Sequence, residues 1–217
     1  MKEVNLLDRY PRVKRDIESR AAAVPGQRAV ARRFGREYFD GDRGQGYGGY
    51  RYDGRWRPVA EQIRDFYGLG AGARILDVGC AKGFLLHDLA AVIPGVTVAG
   101  LDISPYAIAG AMEDVRRFLV VGSADALPFA TGAFDLVISI NTAHNLERER
   151  CVRAIRELER VSRRFKYLQV DSYRTAEERQ KFERWQLTAL THFDPEGWRR
   201  LFEEAGYSGD YSWTITE

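Results

Sequence analysis

Apolar and polar positions follow two spacings along the last two thirds of the chain. Short runs rich in Val, Ile, Leu and Phe predict buried strands, whereas apolar residues three or four positions apart predict amphipathic helices between them. Strands are predicted over residues 74–78, 96–101, 118–121, 134–140, 167–171 and 207–215. Helices are predicted over residues 84–92, 147–161, 175–190 and 195–205, with another starting at Ser104-Pro105. This alternation predicts an α/β fold around a doubly wound, mostly parallel sheet of six or seven strands, with 207–215 as an edge strand.

The first 67 residues follow a different pattern. Helices are predicted over 12–23, with Val13 on a buried face, and over 27–38, separated at Pro25-Gly26 because proline and glycine interrupt helices. Residues 41–56 interleave glycine with tyrosine and arginine and hold too much glycine for a regular element, whereas residues 59–67 have helical spacing. We therefore predict an N-terminal helical cap with a Gly/Tyr/Arg-rich lid segment over residues 1–67 and the main domain over 68–217.

Composition limits the possible partners. The chain has 217 residues, 45% of them hydrophobic, which suffices for one globular domain with an appendage. Its formal net charge is +2, with both signs mixed, so charge predicts no nucleic-acid or membrane partner. No apolar run has the length of a membrane span or the form of a signal peptide, which predicts a cytoplasmic location. Cys80 and Cys151 have neither metal-ligand spacing nor a disulfide framework, so no metal is predicted.

The strand at 74–78 runs directly into a glycine-containing loop and then into a helix. The loop reads Asp77-Val78-Gly79-Cys80-Ala81-Lys82-Gly83, and glycines in such a loop let the backbone approach a ligand at the carboxyl end of a parallel sheet. A dinucleotide fingerprint needs glycine at the first, third and sixth loop positions, where this chain has Gly79, Ala81 and Phe84. A phosphate-binding P-loop does not fit either, because no Gly-Lys-Ser/Thr follows.

Three further motifs follow this loop in order. They are Gly100-Leu101-Asp102-Ile103-Ser104, Ala124-Asp125-Ala126-Leu127-Pro128-Phe129 and Phe134-Asp135-Leu136-Val137-Ile138-Ser139. Together with the spacing Gly79-x-Ala81-x-Gly83, in which alanine replaces a middle glycine, they make the chain resemble the class I, Rossmann-like S-adenosylmethionine-dependent methyltransferases.

The resemblance implies S-adenosylmethionine as the cofactor and S-adenosylhomocysteine as the product. Asp102 would accept hydrogen bonds from the ribose hydroxyls, for which an ionised carboxylate is well suited. Asp125 would accept from the adenine amino group while the backbone of Ala126 pairs with the ring, and Asn141 would lie closest to the cofactor beyond the fourth strand. Lys82 has two interpretations, a contact with the cofactor carboxylate or a side chain in solvent. The other predicted cofactor contacts are Asp77, Gly79, Cys80, Ala81, Gly83 and Ile103.

The predicted catalytic residue is His144, in the polar run that follows the fourth strand. Methyl transfer from a sulfonium requires an aimed nucleophile and the exclusion of water. An imidazole with an ordinary pKa near 6.5 can remove a proton from an attacking hydroxyl or amine, which makes His144 a candidate general base. The alternative is a structural hydrogen bond at the start of the next helix.

Predicted acceptor contacts come from the lid segment and from the two loops after the fourth and fifth strands. Arginine binds phosphates and carboxylates through bidentate contacts, and we interpret residues 41–56 as a lid over the acceptor. A nucleic-acid contact through arginine and stacked aromatics, or a purely structural loop, are the alternatives. The predicted contacts are Tyr47, Tyr50, Arg51, Tyr52, Arg55, His144, Tyr173 and Arg174.

A narrower resemblance rests on three runs, Phe39-Asp40-Gly41-Asp42-Arg43, Gly46-Tyr47-Gly48-Gly49-Tyr50 and residues 138–148. They look like a bacterial methyltransferase subgroup linked to surface-polysaccharide or phosphorus-containing metabolite biosynthesis. That resemblance implies a small polar acceptor bearing phosphate, phosphonate, phosphoramidate or carboxylate, methylated on oxygen. The alternatives are an RNA or protein methyltransferase, which only the basic first third favours, and a non-catalytic cofactor-binding partner subunit. The sequence leaves the oligomeric state and the regiochemistry open.

Overall fold

The computed structural model describes residues 1–11 and 16–216. Within them, strands and helices follow one another from residue 74 onward in the order that the apolar pattern predicts. The helices are α1 (Ile17–Ala31), α2 (Arg36–Asp40), α3 (Arg57–Tyr67), α4 (Phe84–Val92), α5 (Pro105–Ala109), α6 (Glu113–Arg116), α7 (Arg148–Val161), α8 (Ala176–Trp185) and α9 (Pro195–Ala205). The strands are β1 (Arg74–Val78), β2 (Thr97–Asp102), β3 (Leu119–Val121), β4 (Phe134–Ile140), β5 (Ser162–Ser172) and β6 (Asp210–Ile215).

The six strands of the described residues form one parallel sheet in the order β3-β2-β1-β4-β5-β6. This confirms the predicted Rossmann-like α/β fold. Among the six strands, β6 is the last on one side of the sheet, in register with β5 from Tyr167 opposite Asp210. The strand order reverses between β1 and β4, and ligands of such sheets bind beside that point, at the carboxyl ends of the strands.

Helices cover both faces of the sheet. Ile155, Trp198 and Phe202, from α7 and α9, are fully buried in one apolar cluster. Ile63 of α3 and Leu86 of α4 lie in the cluster on the other face. Helix α3 thus shares a core with β1 and α4, although the domain boundary is predicted after it. That boundary stays a prediction.

The predicted break at Pro25-Gly26 is wrong, because α1 runs through these two residues. Contacts on both sides of them hold α1 against α8. The Arg20 guanidinium lies 4.0 Å from the centroid of the Trp185 ring, and Arg28 Nη2 donates to the Glu183 carbonyl at 2.7 Å. This tertiary packing offsets the backbone hydrogen bond that a proline removes from a helix.

The predicted second helix over residues 27–38 is also divided differently. Phe34 has a φ of 50°, which interrupts the helix between α1 and the short α2. The predicted start of the first helix, including Val13, lies outside the described residues. Further along the chain, α8 ends at Trp185 rather than at residue 190, and the amides of Leu190 and Thr191 both donate to the His144 carbonyl.

The first residues of the chain extend the sheet beyond β6, which no apolar pattern predicts. The Val4 amide donates to the Tyr211 carbonyl at 2.9 Å, and the Tyr211 amide donates to the Lys2 carbonyl at 3.0 Å. Leu6 is buried, and its amide donates to the Tyr167 hydroxyl at 3.2 Å. Among the described helices, none is both long and apolar enough to cross a membrane.

Candidate functional site

A cavity of about 300 Å³ opens at the carboxyl ends of β1 to β4. One part of its wall comes from residues at the ends of these strands and just after them. The other part comes from residues 16–52, and from here on the word cap refers to this range. The sheet side contributes Gly79, Ala81, Leu101, Asp102, Ile103, Gly122, Ser123, Ala124, Ile140, Asn141, Thr142, Asn145, Leu146 and Arg150. The cap contributes Arg32, Arg33, Phe34, Tyr38, Phe39 and Tyr47.

The loop after β1 has the backbone that its glycines predict. Gly79 has a φ of 88° and Gly83 a φ of 73°. A Cβ atom at Gly79 would lie 1.8 Å from Thr142 Oγ1, so only glycine allows the two loops to pass this closely. Ala81, where the resembled family usually has glycine, takes the same left-handed conformation with a φ of 50°. It is buried beside Phe39 of the cap, and this packing offsets the strain of a left-handed alanine.

Asp102 lies at the end of β2 with its carboxylate on the cavity wall. Its Oδ2 accepts from the Ala81 amide and its Oδ1 from the Ser104 amide, both at 2.8 Å. Burial raises the pKa of Asp102, and these two hydrogen bonds partly oppose that rise. Each oxygen keeps a lone pair for a ligand hydroxyl. The next residue, Ile103, is 51% exposed and presents an apolar side chain to the same cavity.

Three predicted cofactor residues of the loop, Asp77, Cys80 and Gly83, do not line the cavity, and the predicted contact of Gly83 stays a prediction. Asp77 is 5% exposed, and burial together with the negative charge of Asp102 raises its pKa to about 7. Cys80 is also buried, and burial raises the pKa of its thiol well above the ordinary value, so the sulfur stays protonated. Both residues support the loop from within the fold.

Asp125 is bound by Arg150. Arg150 Nε donates to Asp125 Oδ2 at 2.8 Å and Nη2 to Oδ1 at 3.0 Å, and the Ser123 hydroxyl donates to the same carboxylate. These contacts hold the pKa of Asp125 far below its usual range. Its neighbours Ser123 and Ala124 line the cavity, whereas Asp125 and Ala126 do not. The predicted adenine contacts of Asp125 and Ala126 therefore stay predictions.

The loop after β4 reaches the cavity as expected. Asn141 lines it with a φ of 52°, and its Oδ1 accepts from the Thr214 hydroxyl at 2.9 Å. Asn145 also lines it, and its Nδ2 donates to the Asn141 carbonyl. The Asn145 Oδ1 atom is buried without a hydrogen-bond partner among the described residues.

His144 does not line this cavity. Its side chain is 3% exposed, Nδ1 accepts from the Asp171 amide at 3.0 Å, and Nε2 lies 3.5 Å from Asp171 Oδ2. Burial lowers the pKa of His144, and the negative charge of Asp171 opposes this only in part, so the ring is neutral near pH 7. Its contacts match the structural alternative, and a role as general base stays a prediction.

Lys82 takes neither of its two predicted positions. Its side chain is buried and donates to Asp40 Oδ2 at 2.6 Å and to the Tyr50 carbonyl at 2.9 Å. The Tyr50 amide and the Tyr106 hydroxyl donate to the same Asp40 carboxylate. The cap is thus tied directly to the loop after β1.

Of the predicted acceptor contacts in the lid segment, Tyr47 alone lines the cavity. Tyr50 stacks on Phe84 with ring centroids 4.7 Å apart. The Tyr52 hydroxyl donates to Asp88, Arg55 pairs with Asp53, and Arg51 is exposed. Three of these four side chains have partners that hold them away from the cavity wall.

The two predicted contacts after β5 lie elsewhere too. Tyr173 packs against Phe182 and His192, and Arg174 is exposed. In their place the cap supplies five wall residues that the sequence interpretation missed, and the run Arg32-Arg33-Phe34 is the clearest of them. The sequence feature that could have identified these residues is this basic and aromatic run before Gly35. Because the run lies inside a predicted helix, its pattern provides no reason to expect a ligand contact there.

Comparison with known proteins indicates the family to which the chain belongs. Residues 69–206 match the family model of a methyltransferase domain. The malonyl-[acyl-carrier protein] O-methyltransferase of Legionella pneumophila is 41% identical over 78 residues, which cover 34% of this chain and 28% of that protein. Nocamycin O-methyltransferase of Saccharothrix syringae is 36% identical over 95 residues, which cover 41% of this chain and 34% of that protein. The chain thus spans about a third of the length of these curated relatives.

A solved structure shares the fold. A chain from Bacillus halodurans, described as a methyltransferase, aligns with a TM-score of 0.54 at 19% identity and covers 68% of each chain. At that identity the likeness shows the fold alone. The family model, however, covers well over half of this chain, including the loop after β1, Asp102 and the loop after β4. The chain therefore belongs to the methyltransferase family and has the class I, Rossmann-like fold that takes S-adenosylmethionine as its cofactor.

Proposed function

We propose that this protein transfers a methyl group from S-adenosylmethionine to an oxygen of a small, anionic metabolite. The observation that carries the proposal is a single cavity whose wall joins Asp102 and the glycine loop at the sheet edge to the cap. A cavity of this kind can hold a cofactor against the sheet and a compact acceptor beneath the cap.

The residues of the sheet edge fit the cofactor chemically. Asp102 keeps one lone pair on each oxygen for ribose hydroxyls, and Gly79 has no side chain to keep a ligand away from the backbone. Ile103 offers an apolar surface to a flat ring. The residues that would hold the cofactor are Gly79, Ala81, Asp102, Ile103, Ser123, Ala124 and Asn141.

When bound, the cofactor supplies a methyl group already activated on a sulfonium sulfur. The chain then has to position the acceptor oxygen and exclude water. Tyr38, Phe39 and Tyr47 are aromatic side chains of the cap on the cavity wall, suited to excluding water.

An anionic acceptor fits the position of His144. The oxygen of a carboxylate, phosphate or phosphonate carries no proton near pH 7, so its methylation requires no general base. A neutral hydroxyl acceptor would require a base at the reacting atom. Because His144 lies behind the wall, the described geometry favours an acceptor that is already ionised.

Oxygen as the methylated atom has independent support. Both curated relatives described above are O-methyltransferases by name, although each is matched over only part of its length. The cap over the cavity favours a compact acceptor over an RNA or a folded protein. The RNA and protein alternatives nevertheless belong in the test.

The test is methylation by the full chain with S-adenosylmethionine carrying a deuterated methyl group. The panel contains small phosphates, phosphonates, phosphoramidates and carboxylates, together with total RNA and a protein extract. We expect mass spectrometry to find the labelled methyl group on a small anion, and fragmentation to assign it to oxygen. Label on RNA or protein alone would contradict the proposal, as would a failure of calorimetry to detect S-adenosylhomocysteine binding.

A further inference from the structure

Two guanidinium groups of the cavity wall lack a counter-ion among the residues that the structure describes. Arg32 and Arg33, the two residues directly after α1, both line the cavity and are exposed. Within residues 1–11 and 16–216 neither of them forms an ion pair, and Arg32 makes a hydrogen bond of 3.5 Å to the Ala189 carbonyl. Their charge is therefore available to a ligand.

The other charged groups on the wall are already compensated. Arg150 makes a bidentate pair with Asp125, and Asp102 accepts two backbone amides. An anion entering this cavity thus finds its free positive charge at the cap. Arginine pairs are suited to this, because each guanidinium can donate two parallel hydrogen bonds to a carboxylate or phosphate.

The arginines of the lid segment do not offer the same site. Arg43 Nη1 donates to the carbonyls of Gly46 and Tyr47, and Arg55 is paired with Asp53. Arg51 is exposed and does not line the cavity. The anion contacts predicted for Arg51 and Arg55 therefore have a better-placed counterpart in Arg32 and Arg33, eighteen or more positions earlier in the chain.

We propose that Arg32 and Arg33 form the subsite that binds the anionic group of the methyl acceptor, a phosphate, phosphonate or carboxylate. This inference rests on the proposed function and assigns its substrate specificity to the cap. The two arginines lie outside residues 69–206, the segment that matches the methyltransferase model. The cofactor contacts proposed above all come from that segment, which leaves the two arginines of the cap available to the acceptor.

The cofactor also has a carboxylate, and the experiment has to distinguish the two sources of negative charge. Calorimetry on the full chain first measures the affinity for S-adenosylhomocysteine. Inorganic phosphate, methylphosphonate and malonate are then titrated into the saturated complex. Glycerol is the neutral probe. The variants are Arg32→Gln, Arg33→Gln and their double variant, and the control is Arg36→Gln, an exposed arginine of α2 off the cavity wall.

We expect at least one anion to bind the wild-type complex, and the double variant to weaken that binding by about tenfold or more, since hydrogen bonds to charged groups are strong. S-adenosylhomocysteine affinity should change less than twofold, and Arg36→Gln should match wild type. The inference is overturned if no anion binds, if anions bind all variants equally, or if the variants lose S-adenosylhomocysteine instead. If wild type fails to bind S-adenosylhomocysteine, the proposed function fails, and the anion titration of the free chain still tests the two arginines.

Discussion

Lys82 Nζ lies 2.6 Å from Asp40 Oδ2, and this ion pair joins the loop after β1 to the cap. The side chains of Lys82 and Asp40 are 11% and 23% exposed, so water screens the pair only partly. Burial raises the pKa of Asp40, but the hydrogen bonds from Lys82, Tyr106 and the Tyr50 amide outweigh it, and the pKa falls below its usual value. Asp40 is therefore ionised at neutral pH and accepts hydrogen bonds from three donors, the Tyr50 amide of the cap, Lys82 of the loop after β1 and the Tyr106 hydroxyl.

Replacing Lys82 with methionine tests this link. Lys82→Met keeps an unbranched side chain but leaves Asp40 without its cation, which should lower the free energy of unfolding by roughly 2 kcal/mol. The cap should also open more often, so trypsin should cut after the exposed Arg51 faster than in wild type. Lys181→Met, which breaks the exposed pair with Glu177 on α8, is the matched control. Equal cleavage rates for Lys82→Met and the control would show that the pair does not hold the cap.

Asp102→Asn should weaken S-adenosylhomocysteine binding by roughly ten- to a hundredfold, because an amide replaces a charged acceptor of hydroxyl hydrogen bonds. Calorimetry measures the affinity. Thermal melting measures the loss of stability, which we expect because the Ala81 and Ser104 amides lose a charged hydrogen-bond acceptor. Asp135→Asn is the control, since Asp135 accepts the Arg74 amide at the start of β4, away from the cavity. An equal loss of affinity in Asp135→Asn would show that Asp102 does not bind the cofactor.

Gly79→Ala should be severe although it adds one methyl group. The new Cβ would lie 1.8 Å from Thr142 Oγ1 on a residue with a φ of 88°, so we expect a loss of about 2–4 kcal/mol in unfolding free energy and of detectable cofactor binding. Gly70→Ala is the matched control, because a Cβ there meets no atom within 4 Å. Urea denaturation of both variants measures the difference, and a Gly79→Ala protein as stable as Gly70→Ala would contradict the close approach of the two loops.

His144→Gln should change how stability depends on pH. The folded pKa of His144 is lowered, so below pH 6.5 the unfolded chain takes up a proton that the folded chain excludes, and stability falls as pH falls. The variant should lose part of this acid sensitivity in urea titrations between pH 5 and 8. It should also lose about 1 kcal/mol at pH 7.5, where the Asp171 amide loses its acceptor.

Turnover separates the two interpretations of His144. With an ionised acceptor we expect turnover to fall less than tenfold and S-adenosylhomocysteine affinity to stay the same. A fall of a hundredfold or more at unchanged stability and affinity would instead support His144 as the general base. His87→Gln, the same exchange at a histidine that pairs with Asp114 off the cavity wall, serves as the control.

The sequence by itself determined the order of strands and helices, the carboxyl-edge loops and the positions of Gly79 and Asp102. These features depend on residues close together in the chain, since strand and helix periodicity and left-handed backbone are local properties. A parallel sheet then brings successive loops to one edge, so Asp102 and Asn141 could be assigned to one cavity before their distances were known.

Only the tertiary structure decided which side chains of the cap and of the later loops face that cavity. The pairing of Lys82 with Asp40, the approach of Arg32 and Arg33 to the wall, and the burial of His144 against Asp171 join residues far apart in the chain. Periodicity carries no information about such contacts, because they depend on how elements far apart in the chain pack against one another. Packing against α8 likewise keeps α1 continuous through Pro25-Gly26, where local propensity alone predicts a break.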